Sequence, residues 1–182
     1  GGSIMALATK PAFLFEPQDG AFDTDYQSVD GVEPDSATPV WTLDGTDHAS
    51  LVSDVLQIES TGTNQCSYYR SISPSSGDVV WCKLVCKFAT DSTRQGLQIW
   101  ANSIGAKLEL VLRGSLTGNM QVIGSTTKTP AIDLSTSEVT LLVVMSANGY
   151  RIWYGDSDGE NMTLLDSGAP QSYSGGTDRI YF

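Results

Sequence analysis

Along the middle of the chain, apolar and polar residues alternate in short runs separated by turn residues. Residues 79–88, 97–101, 108–112, 120–123, 139–146 and 150–154 are rich in Val, Ile, Leu, Trp and Tyr, with no helical repeat between them. The pattern predicts an all-β fold, an antiparallel sandwich of short strands. Upstream, residues 11–15 (Pro-Ala-Phe-Leu-Phe) read as a first strand, followed by an Asp/Gly/Pro/Ser-rich loop to about Thr38. Residues 40–43, 50–59 and 67–73 then read as strands. Asn148-Gly149 is the clearest hairpin signal, because both residues tolerate positive φ and apolar runs flank them. Residues 157–160 make a second turn into a strand at 162–165. The last residues, 177–182, read as a strand that either belongs to a longer polypeptide or docks back against the N-terminal one.

Composition agrees with one β domain. The 182 residues suffice for a substantial core, and the abundance of Gly, with recurrent Thr, Ser and Val, suits strands joined by tight turns. No run of 18 apolar residues occurs, so no membrane insertion is expected. Gly1-Gly2-Ser3-Ile4 reads as a cloning remnant ahead of a native start at Met5, leaving 5–182 as the domain. Residues 5–17 lack the pattern of a secretory signal. Either a signal has been removed, or the protein reaches its place by assembly into something larger, as a virion component would.

Charge narrows the partners. The net charge is −11, and residues 1–60 hold eleven carboxylates against Lys10 alone. Such a surface repels phosphate backbones and anionic lipid heads, so no nucleic-acid partner is expected and a neutral or cationic one is. The acidic segment reads either as a solvated loop or as a calcium site drawing on Asp19, Asp23, Asp25, Asp30, Glu33 and Asp35, since hard cations select clustered oxygens. Asp156 and Asp158, in the turn before Glu160, are further weak calcium candidates. Cys66, Cys82 and Cys86 form no zinc-like pair. Cys82 and Cys86 share a strand face but lie roughly 13 Å apart, too far to bridge. Cys66 could pair with one of them if their strands are neighbours; otherwise the three act as small buried hydrophobes.

The order and spacing of Leu56-Gln57-Ile58, Tyr68-Tyr69-Arg70-Ser71-Ile72, the strand 78–88, Gly96-Leu97-Gln98-Ile99-Trp100 and 107–113 resemble the concanavalin A-like lectin/glucanase superfamily, especially its laminin-G-like members. Asn148-Gly149-Tyr150-Arg151-Ile152-Trp153 and Asp178-Arg179-Ile180-Tyr181-Phe182 look like a central hairpin and a late strand of such domains. The resemblance covers most of residues 40–182. It implies a jelly-roll of two antiparallel sheets, one convex and one concave, with ligands on the concave face or its rim.

Period-2 alternation divides the strands into faces. Leu97 and Ile99 oppose Gln98 and Trp100, while Leu108, Leu110 and Leu112 oppose Lys107, Glu109, Val111 and Arg113. Tyr150, Ile152 and Tyr154 oppose Arg151 and Trp153. Cys82, Leu84, Cys86 and Phe88 alternate with Trp81, Lys83, Val85 and Lys87. The outward sets mix aromatic and polar side chains. A sugar ring offers a C–H face to an indole and hydroxyls to forked polar groups, so Trp100, Trp153, Arg113, Arg151, Glu109 and Gln98 are the candidate glycan site. The competing reading makes them sheet cover and ordinary cross-strand ion pairs.

Hydrolytic chemistry finds little support. Glucanases of the superfamily place two carboxylates about 5 Å apart on one strand face, and here Glu109 stands alone beside Leu110, Val111 and Leu112. The Arg, Gln, His and Tyr signatures of its alginate lyases are also missing. His48, the single histidine, lies in a Gly/Asp/Ser turn without an evident triad partner. Asn161-Met162-Thr163 fits an N-glycosylation acceptor in a eukaryotic secretory route. Two functions are expected from different classes. One is a non-catalytic carbohydrate-binding or adhesion module for a glycan or polysaccharide, free-standing or as the accessory domain of a glycoside hydrolase, in an extracellular, cell-surface or virion setting. The other is a structural domain that self-associates through its outward face or its C-terminal strand.

Overall fold

A computed structural model of the chain describes residues 26, 31–37, 40–47, 49–53, 55–58, 65–87, 95–112, 120–122, 127–128, 137–156 and 161–182. Its strands are β1 (Thr42–Gly45), β2 (Ala49–Val52), β3 (Val55–Ile58), β4 (Cys66–Ser71), β5 (Val80–Cys86), β6 (Gln95–Ala101) and β7 (Ala106–Leu112). They continue as β8 (Met120–Val122), β9 (Thr127–Lys128), β10 (Val139–Ser146), β11 (Gly149–Gly155), β12 (Thr163–Gly168), β13 (Gln171–Ser172) and β14 (Asp178–Tyr181). The protein is all-β, and its strand pairs are antiparallel. The larger sheet runs β1-β4-β14-β6-β7-β8-β9, with β13 also on β7; a four-stranded sheet runs β12-β11-β10-β5; β2 and β3 form a separate ribbon.

The core lies between the two main sheets. Leu97, Ile99 and Ala101 of β6, Leu108 and Leu110 of β7 and Ile180 of β14 join Val139, Leu141, Val143 and Met145 of β10 and Tyr150, Ile152 and Tyr154 of β11 in one buried cluster. These are the inward sets that alternation selects, and each large aliphatic among them stabilises the fold by about 1.5–3 kcal/mol. β10 is apolar on both faces, which suits a strand with neighbours on both sides and cover above and below. Beyond this core, Trp41, Cys66 and Tyr68 pack with Phe182 in a separate cluster.

Several local readings change. Residues 50–59 form two strands rather than one, because Ser53 takes a left-handed φ of 52° and the chain folds back with Val52 opposite Val55. The β10–β11 hairpin turns on Ala147 and Asn148, with Ser146 opposite Gly149. Neither Asn148 nor Gly149 has positive φ; instead the Ser146 hydroxyl accepts from the Asn148 N–H at 3.3 Å and donates to the Gly149 carbonyl at 3.3 Å. The C-terminal strand offers no edge for self-association. β14 is paired with β4 on one side and β6 on the other, so its backbone groups are already used.

The cysteines are free thiols. β4 and β5 lie in different sheets, which removes the neighbour relation that a bridge from Cys66 requires. Cys82 and Cys86 face the main core from β5, and burial pushes both thiols up to about 12. The first strand read at 11–15, the turn at 157–160 and His48 lie outside the described residues.

Candidate functional site

The outward face of the larger sheet brings together an aromatic and polar strip across four adjacent strands. Parity turns Gln98 and Trp100 away from Leu97, Ile99 and Ala101 of the core, and the register then selects their neighbours. Tyr69 of β4, Tyr181 of β14, Gln98 of β6 and Glu109 of β7 form one cross-strand row. Ser71, Arg179, Trp100 and Lys107 form the next. Residues in such rows have side chains on one face within contact distance, so the strip is a direct consequence of strand order.

Trp100 is its centre. The indole sits 4.9 Å from the Tyr181 ring and 5.8 Å from that of Tyr173, centroid to centroid. Tyr69 and Tyr181 lie 5.3 Å apart, and the Arg179 guanidinium stands 4.2 Å above the Tyr69 ring while donating to the Tyr181 hydroxyl at 3.1 Å. That hydrogen bond, with the neighbouring rings, holds the Arg179 pKa above its ordinary value. Lys107 Nζ is 3.1 Å from Glu109 Oε2. Gln98, Glu109 and Tyr181 are buried, whereas Trp100, Lys107 and Arg179 are half-buried. The Trp100 indole N–H is shielded from solvent and has no acceptor among the described residues. What Trp100 exposes is therefore ring carbon, flanked by two cationic donors.

The loops around this strip are tied down by the backbone. After β6 the chain makes a short 3-10 turn, Asn102–Ile104, that ends on Gly105 at a left-handed φ of 71°, a conformation glycine adopts without a Cβ clash. Asp178 accepts from both the Ser103 N–H and the Ser103 hydroxyl at 2.8 Å. The Tyr173 N–H donates to the Gly105 carbonyl at 3.0 Å, and its hydroxyl lies 2.8 Å from that of Thr177. A Cβ on Gly175 would come within 2.3 Å of the Tyr173 hydroxyl, so glycine is what lets residues 173–177 fold over this ring. Tyr173 is thereby held against Trp100.

The six residues expected to form one site do not converge. Gln98, Trp100 and Glu109 share the larger sheet's outward face. Trp153 and Arg151 lie on the outward face of the four-stranded sheet, on the far side of the common core, because Ile152 and Tyr154 are the residues of β11 that enter that core. Trp153 is buried, packed with Leu142 and Met162 and against Trp81 and Val144. It covers its sheet instead of offering a platform. Arg151 is exposed, opposite Val144 and Ser167. Arg113 lies outside the described residues, as do the calcium candidates Asp23, Asp25 and Asp158. Asp156 accepts from the Asn161 side-chain amide at 3.0 Å. Among the described residues no three His, Cys, Asp or Glu side chains are grouped to hold a metal ion.

Sequence reasoning passed over Tyr69, Tyr173, Arg179 and Tyr181. The alternation in Arg179-Ile180-Tyr181 marks the outward pair once Ile180 is placed in the core, but nothing local says that β14 runs between β4 and β6. Comparison with known proteins finds no matching family model and no similar curated protein.

Proposed function

We propose that the protein is a non-catalytic carbohydrate-binding or adhesion module, built as a concanavalin A-like jelly-roll of the laminin-G-like kind, that holds a glycan on the outward face of its larger sheet. The observation that carries this reading is Trp100, which exposes carbon between Lys107 and Arg179. A pyranose can lay its C–H face on that ring and direct hydroxyls to the flanking donors, which is the division of labour a sugar site requires. The net charge of −11 favours a neutral glycan over a polyanionic one. Such a role suits an extracellular, cell-surface or virion setting.

Glycan-array binding and sugar-induced thermal stabilisation test the reading. Both responses are expected from the intact protein and are expected to vanish in Trp100→Ala while surviving in Arg151→Ala on the opposite face. An array without hits, or a response indifferent to Trp100→Ala, would sink it.

A further inference from the structure

Two polar side chains of the strip have bonding capacity that the protein leaves unused. Gln98 is 6% exposed and Glu109 8% exposed, and they face one another across β6 and β7. Among the described residues no hydrogen bond reaches the Gln98 amide, yet that amide is not one of the partnerless polar atoms sealed from solvent. Glu109 holds Lys107 Nζ on Oε2, while its Oε1 has no partner among the described residues and likewise keeps contact with solvent. Buried polar groups are normally hydrogen-bonded, so this pair calls for a partner from outside the chain. One step further along the same strands, Trp100 faces Lys107. Gln98, Glu109, Trp100 and Lys107 therefore mark a rectangle of roughly 5 Å by 7 Å, set by the spacing between strands and a two-residue step along them. A single pyranose covers such an area.

We propose that Gln98 and Glu109 select the sugar: the Glu109 carboxylate accepts from one hydroxyl of a pyranose stacked on Trp100, the Gln98 amide bonds the adjacent hydroxyl, and the ligand class is an uncharged hexose rather than a uronic acid. This inference rests on the glycan reading above and adds which sugars the face takes. An ionised carboxylate only accepts hydrogen bonds, so a hydroxyl suits Oε1 and a second carboxylate is repelled there. Lys107 alone would attract an acid, but its ammonium is directed to Glu109 at 3.1 Å. Arg179, opposite Trp100 on β14, is engaged with the Tyr69 ring and the Tyr181 hydroxyl, and its remaining N–H groups serve hydroxyl oxygens. Discrimination comes from the buried pair, because a site built to bond a hydroxyl leaves its own groups unpaired when that hydroxyl is missing.

Arrays of glucose, galactose and mannose termini, each beside its uronic acid and its singly O-methylated forms, test this on the full chain. The unaltered protein is expected to bind a neutral hexose at least about tenfold tighter than the matching uronic acid, and to lose binding when either of two adjacent hydroxyls is methylated. Glu109→Gln keeps the shape but removes the charge and leaves Lys107 unpaired, so the preference is expected to move at least about tenfold toward the acid. Gln98→Met keeps the volume and is expected to weaken hexose binding about tenfold while the bias against the acid persists. Melts without sugar check that both variants fold, and the parent's own hexose-to-acid ratio and methylation pattern decide the matter if one does not. Equal binding of hexoses and uronic acids by the parent, tolerance of every single methylation, or an unchanged ratio in Glu109→Gln would overturn the proposal. The glycan reading itself survives those results wherever binding still vanishes in Trp100→Ala, whereas a parent that binds no glycan overturns both.

Discussion

Each outward face of the two main sheets carries tryptophan, Trp100 on the larger sheet and Trp153 beside Trp81 on the four-stranded one, and the structure uses Trp100 and Trp153 in opposite ways. Trp153 has Leu142 and Met162 around it and is 8% exposed, while Trp100 is half-buried with its N–H enclosed. One face is an extension of the packing, the other an aromatic strip edged by Lys107 and Arg179. Parity decides which side of a sheet a residue takes; cover decides whether that side is surface. An outward tryptophan is therefore a ligand platform only where its neighbours leave it bare.

The comparison breaks first at the tryptophans themselves. Trp153→Ala removes a buried ring from a small cluster and is expected to cost about 3–5 kcal/mol of folding stability. Trp100→Ala should cost less, since part of that ring is already hydrated. Urea denaturation of both variants measures the difference. Equal losses would mean that Trp100 is packing as well, and the larger sheet would lose its distinction.

A second test uses pH, because the four-stranded sheet also places two shielded thiols against the core. Cys82 and Cys86 are raised from the ordinary 9.0 to about 12 by burial, so the folded state favours their protonated form. Their contribution is fully present below the ordinary value and is lost as pH rises through about 12. Tyr68, enclosed beside Trp41 and near Asp35 and Asp47, has a phenol raised above its usual range and adds to the same alkaline loss. The urea midpoint is expected to fall as pH is raised above 9, and Cys82→Ala with Cys86→Ala should flatten that fall. A midpoint as steep in the double variant as in the parent would assign the loss to other groups.

The smallest contrast compares one polar contact on each sheet. Tyr150→Phe withdraws a hydrogen bond from the buried Asp166 carboxylate, at a cost of about 1–3 kcal/mol. Arg179→Lys keeps the charge but loses the planar stack on Tyr69 and the geometry of the bond to Tyr181, at about 1 kcal/mol or less. Thermal melts of the two variants rank them. If Arg179→Lys proves the more damaging, the strip on the larger sheet is structural cement rather than a face open to a ligand.

Much of the fold was legible in the chain because strand formation and side-chain parity are local. Alternation in 97–101, 108–112 and 150–154 depends only on neighbouring residues, and it placed Leu97, Ile99, Leu108, Leu110 and Ile152 in the core where they are found. The same rule correctly turned Trp100, Glu109 and Trp153 outward. It is silent on which strands are neighbours, because pairing is made between residues far apart in sequence and many pairings satisfy one pattern. Only the tertiary structure could set β14 between β4 and β6, drawing Tyr69, Tyr181 and Arg179 beside Trp100. It alone separated Trp153 and Arg151 from that group by a whole core. Those outcomes rest on strand order and on what lies above each face, and neither is written in the alternation of any single strand.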